Sequence, residues 1–275
     1  MTLGAIIAEG SRSTVHAWGN DAVAKVPRPD TPDAWIEAEA QFNHVVHATG
    51  APVPEFLGFE QHGRRRISLF RRVDGQSMWD VAAKDVGQAA TLGSELADMQ
   101  FRLASVPPPV ELPAQAHRLR AKVRAAVATV GEEVAAAADL GVDGPTQLCH
   151  GDLHPGNVIL SVDGPVVVDW FDAARGDPVA DVARSSTLLA DASLAVASQC
   201  RGGAVAAPLV AALTSAYAAR ARDRFELDDE TSARWRAVMA VARIAEGVPA
   251  QSLLDVWRRW RRATGDTEPA PADAG

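Results

Sequence analysis

An α+β fold in two unequal parts is predicted by three features of this 275-residue sequence. Short strand-like runs separated by turn residues crowd the N-terminal region around a single helical pattern, and long Ala-rich, helix-favouring stretches dominate from Gly75 onward. Among those stretches, residues 148–170 form a compact run without a long helix. The expected boundaries are 1–72 for an antiparallel sheet with one helix, 73–265 for a mainly helical part, and 266–275 for a flexible tail.

The strands begin at Ala5-Ile6-Ile7, resume at Val15-His16-Ala17-Trp18 and continue at Ala22-Val23-Ala24-Lys25-Val26. Turns at Gly10-Ser11-Arg12-Ser13 and Gly19-Asn20-Asp21 make these two successive hairpins. Pro27, Pro29 and Pro32 end the third strand. Thr31 or Asp33 can cap the next helix, on which Trp35, Glu39, Phe42 and Val46 share a face that should pack on the sheet. That helix should stop near Gly50. After Pro52 and Pro54, residues 56–59 and 67–70 read as strands joined by a turn at Gln61-His62-Gly63. Helices are then expected over 78–83, 86–104 and about 114–140, with Pro107-Pro108-Pro109 as a firm break. Helical patterning resumes near Pro178 and runs to Arg262, interrupted near Gly202 and Asp228.

Composition narrows the function classes. A hydrophobic fraction of 47% is enough for a sizeable core. Charges break every long apolar stretch and Met1-Thr2-Leu3-Gly4 lacks the basic start of a signal peptide, so a soluble, untargeted, cytoplasmic chain with no membrane partner is expected. Two cysteines, Cys149 and Cys200, do not imply a disulfide framework. The formal charge of −8 argues against a nucleic-acid partner, which would need a basic face. Residues 1–75 carry 8 Lys/Arg against 9 Asp/Glu, so the acidity lies in the remainder. A negative field there would attract a cationic ligand; a solvated acidic surface explains the same count. A monomer or weak dimer is expected.

The chemistry concentrates in residues 148–170, where apolar strands flank two polar clusters. Phosphoryl transfer asks for a carboxylate near the attacking hydroxyl and for oxygen ligands that hold Mg²⁺ on a triphosphate. Asp152, Asn157 and Asp169 supply such a set. Asp152 and Asn157 sit on a loop before the strand Val158-Ile159-Leu160, and Asp169 ends the strand Val166-Val167-Val168. Pairing of those strands across Asp163-Gly164 would bring Asn157 near Asp169.

His-Gly-Asp-Leu-His-Pro-Gly-Asn at 150–157, with Val-Val-Val-Asp-Trp ending at Trp170, resembles the catalytic signature of the aminoglycoside phosphotransferase and choline kinase superfamily. Gly176-Asp177-Pro178 with Asp181-Val182-Ala183 is similar to a further element of that superfamily. The resemblance implies a protein-kinase-like two-lobed fold and NTP-dependent transfer of a γ-phosphoryl group to a hydroxyl of a small molecule. It implies Mg²⁺ as cofactor and ATP or GTP as co-substrate. It makes Asp152 the catalytic base or hydroxyl-orienting carboxylate, and Asn157 and Asp169 the metal ligands. Lys25, on the third strand, would reach the inner phosphates. Glu39, or Glu37 in competition with it, would pair with that lysine. Gly10 and Ser11 would belong to a turn over the phosphates, and the segment with Phe70 and Arg72 would be the hinge whose backbone binds the base. His150, Asp177 and Asp181 would support the site. Protein kinases begin the corresponding loop with His-Arg-Asp and insert a long activation segment, whereas here Asp169 is followed eight residues later by Asp177. A small-molecule acceptor is therefore expected.

Ordinary structural readings stand beside these. Asp177 before Pro178 makes a good helix cap. His150 and His154 beside Cys149 lack the zinc-protease spacing; His154 could face the cleft or simply hold the loop, and Asp172 could be a near-site carboxylate or a surface one. Trp79, Trp235, Trp257 and Trp260 are expected to pack rather than stack on substrate, and the Arg-rich stretch at 257–262 to be a solvated face. Only the joint pattern is specific. For the acceptor, the resemblance and the acidic helical part favour an aminoglycoside. Alternatives are a sugar, an amino sugar, an amino alcohol or a macrolide, and, in another class, a nucleotide-binding pseudokinase or regulatory module.

Overall fold

The computed structural model describes residues 2–10, 12–139, 145–199 and 207–265. Its N-terminal region is a five-stranded antiparallel sheet of β1 (Ile6–Glu9), β2 (Ser13–Trp18), β3 (Ala22–Pro27), β4 (Phe56–His62) and β5 (Arg65–Arg71). The order is β1-β2-β3-β5-β4, so β3 is central, with Lys25 opposite Val15 on one side and Ser68 on the other. Strand alternation then sorts the side chains of β3. Ala24 and Val26 join Trp18, Ile67 and Leu69 in a small core on one face, and Lys25 points to the other.

Helix α1 (Asp33–His47) follows β3. Neither Thr31 nor Asp33 caps it as expected; Pro32 occupies the cap position, without a side-chain hydrogen bond. Its buried residues are Ile36, Ala40, Asn43 and Val46, a stripe rotated about one residue from the expected one. Trp35, expected against the sheet, is half-exposed and lies 5.6 Å from the ring of Phe171. Its large apolar ring finds cover on a segment distant in sequence, which helical periodicity cannot reveal.

The helical remainder opens with β6 (Gly75–Ser77) and α2 (Met78–Lys84), where Ser77 caps the helix by accepting from the Asp80 N–H at 3.1 Å. Helix α3 (Ala89–Ala104) buries Leu92, Leu96, Met99 and Leu103, a 3–4 spacing that makes it the spine of the main core. It packs at Gly93 against the later helix that carries Leu213, where a Cβ would fall 2.3 Å from the Leu213 carbonyl oxygen. Helix α4 (Gln115–Val130) is shorter than expected; Gly131, at φ 94°, ends it, and a 3₁₀ stretch, Glu132–Ala138, follows. The strands β7 (Gln147–Cys149), β8 (Val158–Ser161), β9 (Gly164–Val167) and β10 (Ala174–Gly176) form two small sheets, β6-β8-β9 and β7-β10. Of these, β6, β7 and β10 are three residues each, too short to show a period.

Helices α5 (Pro178–Gln199), α6 (Ala207–Arg224), α7 (Asp229–Ile244) and α8 (Ala250–Ala263) complete the fold. Asp228 caps α7 through the Thr231 N–H at 2.6 Å, and the break between α7 and α8, near Gly247, was not expected. Gly202, Cys200 and the 266–275 tail lie outside the described residues. A second core joins α4, α7 and α8 through Val123, Val241, Leu254 and Trp257. Trp257 and Trp235 are fully buried, each with its indole N–H bonded, to the Glu133 carbonyl and the Asp177 carboxylate respectively. Among the described residues, no helix is long and apolar enough to cross a membrane.

Candidate active site

The loop after β7 is shaped before any of its side chains act. Gly151 has φ 79°, and a Cβ there would sit 2.3 Å from the Asp172 carbonyl oxygen, so no other residue fits. Asp181, in the first turn of α5, accepts from the N–H groups of His150 (3.2 Å) and Gly151 (2.7 Å) and from the Gln100 side-chain amide (2.9 Å). Tyr217 donates to the same Gln100. The buried His150 accepts the Asp152 N–H at Nδ1 (3.2 Å), which leaves its proton on Nε2 to reach the Val168 carbonyl at 3.1 Å. Its ring meets Trp170 edge-on, 4.6 Å between centroids. Asp177 accepts from the Val179 N–H at 2.8 Å, a cap on α5. His150 and Asp181 thus hold the loop from beneath, while the Asp177 side chain caps α5 and receives the Trp235 indole.

Asp152 projects from this loop into the cleft. Its Oδ1 accepts from Arg184 Nη2 at 3.1 Å, while Arg184 also donates to the Gly151 carbonyl (3.2 Å) and to Glu246 (2.7 Å). Glu246 accepts from Lys122 of α4 as well, at 2.7 Å. Burial opposes both charges of the Arg184–Glu246 pair, yet the partners prevail: the Arg184 pKa is raised and that of Glu246 is held below its usual value. His154 Nδ1 accepts from the Gly156 N–H at 3.0 Å, and its Nε2 lies 3.9 Å from Asp152 Oδ2. Burial pushes the His154 pKa down, so its ring is neutral at pH 7. Oδ2 is therefore the less engaged oxygen of Asp152.

The second cluster centres on Lys25. Its ammonium pairs with Glu39 of α1 and donates to Asp169 at 3.1 Å. Burial alone would lower the Lys25 pKa; the two carboxylates outweigh it and raise it. Asp169 shows the converse, burial raising its pKa and Lys25 bringing it below the usual range. Glu37, the competing candidate, pairs instead with Arg66. Asp169 follows β9 with φ 65°, a left-handed conformation that Asp tolerates better than most residues. Its neighbour Val168 donates to the Asn157 carbonyl at 2.9 Å, so the β8–β9 hairpin holds Asn157 beside Asp169.

The donor set suits a hard cation. The Asn157 side-chain N–H donates to the Asp152 carbonyl at 2.9 Å, which assigns the amide oxygen to a possible ligand role next to the Asp169 carboxylate. Among the described residues no group of three His, Cys, Asp or Glu side chains is arranged around a metal. Two oxygen ligands from the protein, with phosphate oxygens and water completing the shell, match the way Mg²⁺ is bound with nucleotides.

Lys25, Glu39, Asp152 and Asp169 line one cleft, open to solvent, together with Gly10, Arg12 and Asp172. Ser11 lies outside the described residues. Phe70 and Arg72 are not among the residues lining this cleft: Phe70 is buried against Phe56, and the Arg72 N–H, expected at a base-binding hinge, is taken by the Asp21 carbonyl at 2.9 Å. The hinge strand is committed to its own sheet at these two positions. Sequence reading missed four basic residues. Arg12 and Arg118 each reach Asp172 at 3.4 Å, and Arg184 and Lys122 converge on Glu246. Each resembles an ordinary surface arginine or lysine until the partner, 54 or more residues away for all four, is known.

The model of the Phosphotransferase enzyme family matches residues 5–227. No curated protein matches the chain. A solved aminoglycoside-3'-phosphotransferase of type VIII is similar, at 17% identity over 88% of this chain and 93% of that one, with a TM-score of 0.59. Aminoglycoside phosphotransferase APH(3'')-Id from Streptomyces rimosus is 20% identical over 86% and 92%, also at 0.59. Amicoumacin kinase hAmiN, solved with AMP-PNP, Ca²⁺ and Ami, is 13% identical over 98% and 90%, at 0.54. At these identities the likeness is one of fold, the protein-kinase-like arrangement of antiparallel sheet and helical remainder.

Proposed function

Because the chain belongs to the Phosphotransferase enzyme family, we propose that it transfers the γ-phosphoryl group of a nucleoside triphosphate to a hydroxyl of a small molecule. The observation that carries this reading is the meeting in one cleft of Lys25 from the sheet, Asp152 from the loop after β7, and Asp169 from the end of β9. Lys25, aligned by Glu39, would neutralise the inner phosphates, with Gly10 and Ser11 in the turn above them. Asn157 and Asp169 would hold Mg²⁺, which when bound with the nucleotide offsets the charge of the phosphates.

Asp152 acts on the acceptor. Arg184 occupies Oδ1, so Oδ2 is the oxygen that accepts the hydroxyl proton. A bond forms between the acceptor oxygen and the γ-phosphorus as the bond to the β,γ-bridging oxygen breaks, and the nucleoside diphosphate leaves with that oxygen. Arg184, fixed by Glu246 and the Gly151 carbonyl, keeps the carboxylate in line for the attack.

An aminoglycoside acceptor draws support from the signature and from neighbours such as APH(3'')-Id, solved in complex with ADP and streptomycin. A sugar, amino sugar, amino alcohol or macrolide is compatible with the same chemistry. Nucleotide consumption with Mg²⁺ across a panel of these compounds, run beside Asp152→Ala, tests the reading. Acceptor-dependent turnover should drop by roughly 10²–10⁴ in the variant. Full activity of Asp152→Ala would refute the assignment of Asp152, and nucleotide binding without transfer to any acceptor would favour the regulatory module.

A further inference from the structure

The approach to Asp152 is bordered by carboxylates that already have cationic partners. Asp172 lies between Arg12 and Arg118, each at 3.4 Å. Glu246 takes Arg184 and Lys122 at 2.7 Å each, and Arg243 comes within 3.7 Å of it. Asp152 itself takes Arg184. Asp152, Asp172 and Glu246 are thus three negative charges met by five positive ones. The chain as a whole is acidic, at −8, yet these three carboxylates are outnumbered by their partners.

Arg118 is the cation with capacity to spare. Its contact with Asp172 is long beside the ~2.7–2.9 Å of a strong charge-assisted bond. Its Nε is buried without a hydrogen-bond partner, and its other terminal nitrogen donates to the Phe171 carbonyl at 3.1 Å. Arg12, half-exposed on the β1–β2 turn, crosses the cleft to the same carboxylate and stacks over Phe171 at 4.6 Å. Two guanidinium groups facing one carboxylate leave an excess of positive charge beside Asp172, which lines the cleft with Asp152. An ammonium group arriving there would meet guanidinium repulsion and no unpaired carboxylate among these three. An incoming carboxylate would complete an arginine fork.

Resting on the phosphotransferase reading, we propose that the acceptor is a hydroxylated small molecule bearing a carboxylate, received by Arg118 while its hydroxyl faces Asp152 Oδ2. The inference names the charge class of the acceptor and makes Arg118 a specificity-determining residue.

Matched charge series test it: gluconate, glucose and glucosamine, and glycerate, glycerol and serinol, each assayed with Mg-ATP for kcat/KM, with kanamycin as a polycationic reference. The anionic member of a series should exceed the neutral and cationic members by roughly ten- to a hundredfold, the worth of one hydrogen-bonded charge pair. Arg118→Gln should erase that ratio mainly through KM, Arg118→Lys should keep part of it, and Asp172→Asn, which removes the competing carboxylate, should enlarge it. Because each readout is a ratio within one variant, partial loss of folded protein does not alter it. Preference for a neutral or cationic member, transfer to kanamycin alone, or an unchanged ratio in Arg118→Gln would overturn the proposal while leaving the phosphotransferase reading intact. Absence of transfer to every compound, with Mg-ATP still bound, would overturn both.

Discussion

Gly151 shows how closely a single residue can be constrained by the backbone around it. Its positive φ and the Asp172 carbonyl 2.3 Å from any added Cβ act together. Gly151→Ala should therefore cost about 2–4 kcal/mol of stability, measurable by denaturant unfolding, and should reduce activity further by displacing Asp152. Residue identity was legible in the sequence where chemistry is local. Asp152, Asn157 and Asp169 lie within one short stretch, and the apolar strand around Lys25 marks it among few lysines. The basic residues around Asp172 and Glu246 were not legible, because their meaning depends on which helices stand side by side. Glu39 and Glu37 differ by two positions on one helix, and only the rotation of α1 against the sheet sends one to Lys25 and the other to Arg66.

At the scale of elements, Glu246 ties three helices together just past the end of α7, through Lys122 of α4 and Arg184 of α5. Its pKa is depressed in the folded state, below the usual 4.5, because the two cations outweigh burial. A depressed carboxylate adds stability that is fully present above its unfolded pKa and is lost as the pH falls through the folded one. Glu246→Gln should accordingly lose about 1–3 kcal/mol at pH 6–7, and the gap to the wild type should close below pH 4.5; unfolding free energies measured from pH 3 to pH 7 check this. The order of the long helices and of the first five strands followed from periodicity and turn residues. The end of α4, the short strands and the break between α7 and α8 escaped it. The early end of α4 is set by Gly131, whose positive φ interrupts an otherwise helical Ala-rich run. The three-residue strands exist because partners from elsewhere pair with them, as Gly75–Ser77 does with β8.

For the whole molecule, the net charge is a poor guide to the charge at the site. Some of the acidity that suggested a cationic ligand is spent on the outer surface, as where Asp98 of α3 binds Arg220 and Arg224 of α6. Around Asp172 and Glu246, by contrast, the carboxylates are outnumbered by the cations paired with them. Counting residues along a chain cannot separate the two, since the sorting is done by the packing of α4, α5 and α7.

The half-exposed Trp35 has an optical consequence. The chain has seven tryptophans, and the other six are buried or partly covered, most of them in the helical cores. Trp35 alone is exposed, on the rim of the cleft, with its ring against Phe171 from the opposite wall. Emission at the red edge of the intrinsic fluorescence, and its quenching by acrylamide, therefore come chiefly from this one indole. Adding Mg-nucleotide should shift that emission and its quenching, and Trp35→Phe should abolish the response, so that the protein carries its own binding signal without a label.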